Sequence, residues 1–308
     1  MNQPRPYQNG QDFKRMKALL VEGRKAANGT YYVHPGDLSW WLFYNLPEDD
    51  LWANIYLWED QRQGSELLGW TLFSPKWSSF DVFFYPSLRN SGLVEHMFTW
   101  SMERAQQMAR QAGKARIATV WISEKDTRLS GLLGRCGCLP SPEGLLYLTR
   151  SLEGPLPESA LPAGFQVRSV KDESEAGMRA AASYAAFEST MPFETYQQRY
   201  LRFMRSPVYR SENDLIITAP DGQGAAFCIL WLDSTNQVGL FEPVGAHPAH
   251  QRKGLGKAVM LEGLRRMQTQ GIKTAMVCVE QDNLPAQRLY LSCGFKITDR
   301  LITYEKNL

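Results

Sequence analysis

The chain has 308 residues, 44% of them hydrophobic and 21% charged, with a formal net charge of +2. This is the composition of a soluble globular protein with length for two domains, and it gives no reason to expect nucleic acid or an anionic membrane as partner. No apolar run nears the roughly 20 residues of a membrane span, and the start, Met1-Asn2-Gln3-Pro4-Arg5-Pro6, lacks a secretory pattern. Cys136, Cys138, Cys228, Cys278 and Cys293 form no disulfide framework and read as reduced thiols, which points to a cytoplasmic protein. One glycine between Cys136 and Cys138 is a poor metal spacing, and no histidine cluster completes a site, so no metal is expected.

In chain order, Arg5 and a polar helix start lead into a helix over 13–20. Strand-like runs follow at 51–58 and 67–73, and a further strand is Phe80-Asp81-Val82-Phe83-Phe84-Tyr85-Pro86. A helix with Val94, Met97, Phe98, Ala105 and Met108 on one side comes next, then an apolar strand at 115–122 and a short helix near 126–137. Residues 153–164, rich in proline and without periodicity, read as a semi-rigid linker.

After the linker the order repeats. A strand at 165–170 precedes an acidic helix start, Asp172-Glu173-Ser174-Glu175, with helices to about 210 and strands at 214–218 and 225–232. Val238 to Ala246 is the fourth strand, and Pro243, which cannot donate a ladder hydrogen bond, interrupts or bulges it. Met260, Leu264 and Met267 then recur at helical spacing, with Glu262, Arg265 and Arg266 opposite. An apolar strand covers 273–279, a short helix 283–295, and 296–305 offers closing strands. Arg168 parallels Arg5, and corresponding elements recur at an offset of roughly 160 residues, so an internal duplication is the economical reading.

Between the fourth strand and its helix lies Gln251-Arg252-Lys253-Gly254-Leu255-Gly256. Two glycines permit a tight turn and close approach of a ligand. The first amides of the new helix lack internal acceptors, and Arg252 and Lys253 add charge. Together they make an anion cradle suited to a diphosphate. The spacing is not that of a P-loop, because Gly256-Lys257 is followed by Ala258 and Gln251 stands where the first glycine belongs. It is not a dinucleotide fingerprint either, since Val259 replaces the third glycine.

The order strand, Q/R-x-x-G-x-G/A, helix, strand, then N-x-x-A-x-x-x-Y-x-x-x-G-F resembles the GNAT superfamily of acyl-CoA-dependent N-acetyltransferases, and the chain is similar to tandem GNAT proteins over nearly its whole length. The resemblance implies an α/β (α+β) fold of two tandem GNAT-like domains. Each would be a mixed, mostly antiparallel sheet with a splayed fourth and fifth strand and flanking helices. Residues 1–152 would form a degenerate copy and 165–308 the catalytic, acetyl-CoA-binding one. It further implies that backbone at Val244, Gly245 and Ala246 pairs with the pantetheine arm. The diphosphate would lie at Gln251, Arg252, Lys253, Gly254, Leu255, Gly256 and Lys257, with Asn283 and Ala286 along the arm. Tyr290 would be the general acid for the departing thiolate.

Transfer to an amine also needs a base, and Glu242 is the first candidate and His247 the second. The first copy departs from the pattern: Ser87 to Leu93 lacks the paired glycines, and Arg135-Cys136-Gly137-Cys138 replaces the tyrosine-to-Gly-Phe ending, so catalysis is not expected there. Eight of the nine tryptophans, including Trp40, Trp41, Trp52, Trp58, Trp70 and Trp77, precede the linker and read as core packing, the alternative being an acceptor pocket between the halves. The expected function is acetyl-CoA-dependent N-acetylation of a primary amine of a small molecule or peptide, by direct transfer in a ternary complex rather than through an acyl-cysteine at Cys293. The alternative is a non-catalytic acyl-CoA-binding or interaction module. No motif identifies the acceptor.

Overall fold

The two halves begin with the same device. Arg5, in strand β1 (Arg5–Pro6), donates to both oxygens of Asp12 at 2.7 and 2.6 Å, and Asp12 accepts the Gln8 N–H at 2.9 Å. Arg168, in β7 (Gln166–Ser169), does the same with Glu175 at 2.7 and 2.8 Å, and Glu175 accepts the Lys171 N–H at 2.9 Å. Beside each pair a side chain caps the helical start, Asn9 accepting from Gln11 N–H and Asp172 from Ser174 N–H. The duplication is therefore preserved in individual hydrogen bonds as well as in element order.

The computed structural model describes residues 3–27, 32–46, 50–60, 65–158 and 160–308; Met1 and Asn2 of the amino-terminal reading and Ser159 of the linker lie outside them. After β1 come α1 (Gly10–Ala26), α2 (Pro35–Trp40) running into a π-helical turn (Trp41–Asn45), α3 (Leu51–Asn54), β2 (Ile55–Asp60), β3 (Glu66–Ser74), β4 (Ser79–Phe84), α4 (Gly92–Gln111), β5 (Arg116–Ser123), α5 (Thr127–Arg135) and β6 (Leu139–Ser151). After β7 come α6 (Ala176–Ala186), α7 (Phe193–Met204), β8 (Asp214–Thr218), β9 (Gly224–Asp233), β10 (Val238–Ala246), α8 (Leu255–Thr269), β11 (Thr274–Glu280), α9 (Leu284–Ser292) and β12 (Lys296–Asn307). One expectation fails locally: the strand read over 51–58 opens as the helical turn α3. Leu51 and Asn54, three apart, share its buried side while Trp52 is 63% exposed, and the Asn54 amide bonds back to the Asp50 carbonyl at 3.0 Å.

The two sheets expected are joined into one. The strand order is β1-β2-β3-β4-β5-β12-β6-β11-β10-β9-β8-β7, so each half's last strand lies against the other half's fifth: β6 pairs with β11 and β12 with β5, all antiparallel. β6 and β12 also pair with each other at the centre. The parallel pairs are short. β4 meets β5 only at Ser79 and Ala118, and β10 meets β11 only from Val238–Thr274 to Leu240–Met276. Beyond those points the strands diverge, opening one wedge in each half.

Packing fixes the second wedge. Leu264 and Met267 of α8 are fully buried against Leu230 and Phe241, and each such side chain contributes about 1.5–3 kcal/mol. On the other face, Arg179 and Asp214 form a fully buried ion pair at 2.8 Å. The guanidinium lies 4.0 Å from the Phe227 ring centroid, and Tyr200 donates to Asp214. This pair ties α6 and α7 to β8.

Candidate active site

β10 carries an irregularity at the expected place. Its register against β9 shifts between Phe241 and Val244, so Glu242 and Pro243, joined by a cis peptide, stand opposite Ile229 alone. The Trp231 indole N–H holds the bulge by donating to the Glu242 carbonyl at 2.7 Å. Past the bulge, the His247 N–H donates to Ala225 at 2.9 Å, which sets the phase of the ladder. Gly245 therefore faces β9, while Val244 and Ala246 turn their N–H and C=O groups to the open edge where β11 has departed. That edge can accept an extended amide chain as an added strand.

At the wedge mouth, the loop into α8 takes the form required of a cradle. Arg252 (φ +61°) and Gly254 (φ +77°) are both left-handed, and Gly254 caps α8 with no side-chain hydrogen bond. The N–H groups of Arg252, Lys253, Gly254, Leu255, Gly256 and Lys257 find no acceptor outside their helix among the described residues, and those of Leu255 to Lys257 belong to its first turn. Gln251 braces the loop from beneath, its Nε2 donating to Ala246 O at 3.4 Å. A diphosphate fits this set of amides and cations.

The far lip is α9. Asn283 caps it, its Oδ1 accepting the Ala286 N–H at 3.2 Å, and its exposed amide nitrogen makes no hydrogen bond among the described residues. Two turns on, Tyr290 is 6% exposed and packs against Phe295, and its hydroxyl has no hydrogen bond among the described residues. Burial, then the nearby Glu242 and Glu280 charges, hold that hydroxyl well above the ordinary phenol range, so it stays protonated at neutral pH.

Glu242 faces the interior. Burial pushes its carboxyl up to about 8, with Asp37 and Glu280 adding like-charge repulsion. His247 is placed differently: its Nδ1 accepts the Ala249 N–H at 3.2 Å and caps the short turn Pro248–His250. The structure thus brings together Glu242, Val244, Ala246, the amides of residues 252–257, Asn283 and Tyr290. It leaves His247 and the Gln251 side chain in backbone roles.

A cavity of about 820 Å³ opens from Glu242 and is shared by both halves. The first half enters it because α2 is pinned to the second half's sheet. His34, fully buried, bonds the Val238 carbonyl at 3.2 Å, and Gly36 lies so close to β9 that a Cβ there would meet Trp231 Cβ at 2.3 Å. Asp37 and Trp41 are thereby brought to the cavity wall, and Asp37, held by the His34 N–H at 3.0 Å, is raised by burial to about 7. Asp37, Cys278 and Glu280 were not legible as site residues; Glu280 ends a strand and Asp37 lies 205 positions before Glu242. The tryptophans divide between core and cavity wall. Trp58 and Trp70 are fully buried, whereas Trp41, Trp77 and Trp121 line the cavity.

The first wedge is filled by the protein. Counted from Pro86 and Pro248, Phe84 corresponds to Ala246 and Phe80 to Glu242; counted from Asp126 and Asn283, Leu133 corresponds to Tyr290. The Tyr32 hydroxyl donates to Phe84 O at 2.6 Å, Arg89 pairs with Asp126, and Asp81 takes the Val120 N–H of β5 at 2.9 Å. About 50 Å³ of space remains.

The splayed mixed sheet and its glycine cradle define a class. Residues 180–295 match the model of the acetyltransferase (GNAT) family. Among curated relatives it is similar to the mycothiol acetyltransferase of Streptomyces coelicolor, 30% identical over 53% of this chain and 52% of that one, about half the length of each. The mycothiol acetyltransferase of Pseudarthrobacter chlorophenolicus is 26% identical over 80% of this chain and 76% of its own. In fold, the chain resembles the tandem GNAT protein of the clavulanic acid biosynthesis pathway (TM-score 0.69, 15% identity, 100% and 98% covered). It also resembles a GCN5-related N-acetyltransferase of Sphaerobacter thermophilus (TM-score 0.65, 18% identity, 99% and 95% covered).

Proposed function

We propose that the chain is an acetyl-CoA-dependent N-acetyltransferase. Residues 165–308 would carry the chemistry, 153–164 the linker and 1–152 a degenerate copy, with a primary amine of a small molecule or peptide as acceptor. The observation that carries this reading is the meeting, in one wedge, of an open strand edge, an unoccupied set of amides, a carboxyl raised toward neutrality and an unpartnered buried phenol.

When bound, acetyl-CoA would supply an activated acetyl thioester at the mouth of the 820 Å³ cavity. Glu242, once ionised, takes the proton that the acceptor nitrogen must lose, directly or through a water, and a carboxylate at about 8 is basic enough to hold it. As the C–N bond forms and the C–S bond breaks, the Tyr290 hydroxyl gives its proton to the departing sulfur. Cys278 lines the same cavity, but burial and the Asp37 and Glu242 charges hold its thiol well above the ordinary range, so it is a poor nucleophile. Cys293 is 1% exposed. These two facts favour direct transfer within one ternary complex.

The test is a thiol-release assay of the full chain with acetyl-CoA over a broad amine panel. Amine-dependent release without an acylated protein species supports the reading. Cofactor binding with no release from any amine would replace it with a non-catalytic acyl-CoA-binding module.

A further inference from the structure

The wall of the 820 Å³ cavity is unevenly charged. Seven carboxyl side chains line it among the described residues, against a single guanidinium, Arg116, which is already paired with Glu305 at 2.8 Å. Two of the seven have evident structural duties, Asp81 accepting the Val120 N–H and Asp37 the His34 N–H. Glu242, Glu280 and Asp282 have no ion pair among the described residues, and they follow one another from the bulge of β10 across the end of β11 toward α9. No group of three or more His, Cys, Asp or Glu side chains converges to hold a metal ion among the described residues. The charge is therefore spread along a wall rather than gathered at a point. Trp41 and Trp121, with ring centroids 5.3 Å apart, line the same cavity and give cations an aromatic face.

Resting on the acetyltransferase reading above, we propose that the acceptor is an amine carrying a second cationic group, of the diamine class, with the reacting nitrogen at Glu242 and the second charge along Glu280 and Asp282. Glu280 and Asp282 concentrate such cations, and an acceptor with a carboxylate in place of the second amine meets repulsion with no unpaired cation on the cavity wall, among the described residues, to offset it. The first half contributes to the choice, because Asp37, Trp41 and Trp121 come from it.

The experiment uses three acceptors of equal chain length: putrescine, n-butylamine and γ-aminobutyrate, whose far ends are cationic, neutral and anionic. Thiol release by the full chain at saturating acetyl-CoA should rank them in that order by kcat/KM, with about a tenfold step between neighbours. In the double variant Glu280→Gln, Asp282→Asn, the ratio of putrescine to n-butylamine should fall toward one; as a ratio within one protein, it is insensitive to partial loss of folded enzyme. Equal kcat/KM for the three, or a preference for γ-aminobutyrate, overturns the proposal while leaving an acetyltransferase. If no amine releases thiol, calorimetric titration of the same three into the CoA complex decides: tighter putrescine binding upholds the cationic site and sinks only the catalytic reading, and equal or absent binding sinks both.

Discussion

Tyr32 donates its hydroxyl to the carbonyl oxygen of Phe84 at 2.6 Å, whereas the carbonyl of the second half's counterpart, Ala246, meets only the Gln251 side-chain amide among the described residues, at 3.4 Å. With Arg89 on Asp126 and Asp81 stitched to Val120, the first wedge is closed by the protein's own side chains. Calorimetric titration with CoA should therefore give one site per chain. A second site of comparable affinity would contradict the assignment of residues 1–152 as a degenerate copy.

Gly254 isolates the contribution of the cradle. A Cβ there would meet nothing within 4 Å, but φ is +77°, so Gly254→Ala acts through the backbone alone at about 1 kcal/mol. The rearranged amides should raise KM for acetyl-CoA about fivefold with little change in kcat, as expected for a contact made equally in the ground and transition states. A fall in kcat at unchanged KM would place the diphosphate elsewhere.

Glu242 sets a pH dependence. Its carboxyl must be ionised to accept a proton, so kcat/KM should rise through about pH 8, and Glu242→Gln should lose that limb along with most activity. The linkage runs the same way. The folded state holds this proton up to about 8, whereas the unfolded chain releases it near 4.3, so native stability falls as pH rises through that window. Melting temperatures should accordingly show Glu242→Gln gaining on the wild type as pH rises toward about 8. A gap that stays constant across that range would mean that the carboxyl is not held protonated.

The strand exchange makes the halves interdependent. Expressed separately, residues 1–152 would leave β5 without β12, and residues 153–308 would leave β11 without β6, each exposing a long unpaired edge. Both pieces should be insoluble or molten while the full chain melts in one transition. Within the second half, Asp214→Asn leaves Arg179 buried without its counter-charge and should cost about 3–5 kcal/mol by denaturant unfolding.

What could be read in advance follows from distance along the chain. The cradle at 251–256 and the α9 segment are contiguous, so turn chemistry, capping and period were all present in the letters, and the duplication was legible because Arg5 and Arg168 recur in matching contexts. The exchange of β6 and β12 was not, because strand partners such as Glu280 and Leu145 are set by assembly of both halves, and either pairing satisfies the same local alternation. The cavity wall was hidden for the same reason: Asp37 and Trp41 reach Glu242 only because His34 is fastened to Val238. Leu51–Asn54, four residues long, carries too little pattern to separate a helical turn from a strand.

Tyr290→Phe removes one oxygen from a buried ring and leaves the cradle, the strand edge and Glu242 in place. The decisive measurement is its single-turnover rate at saturating acetyl-CoA and acceptor, alongside its Kd for acetyl-CoA. A loss of about a hundredfold or more in rate with Kd unchanged within about twofold is the expected result for the general acid. A rate equal to that of the wild type would contradict the account of this wedge as the place where the sulfur is protonated.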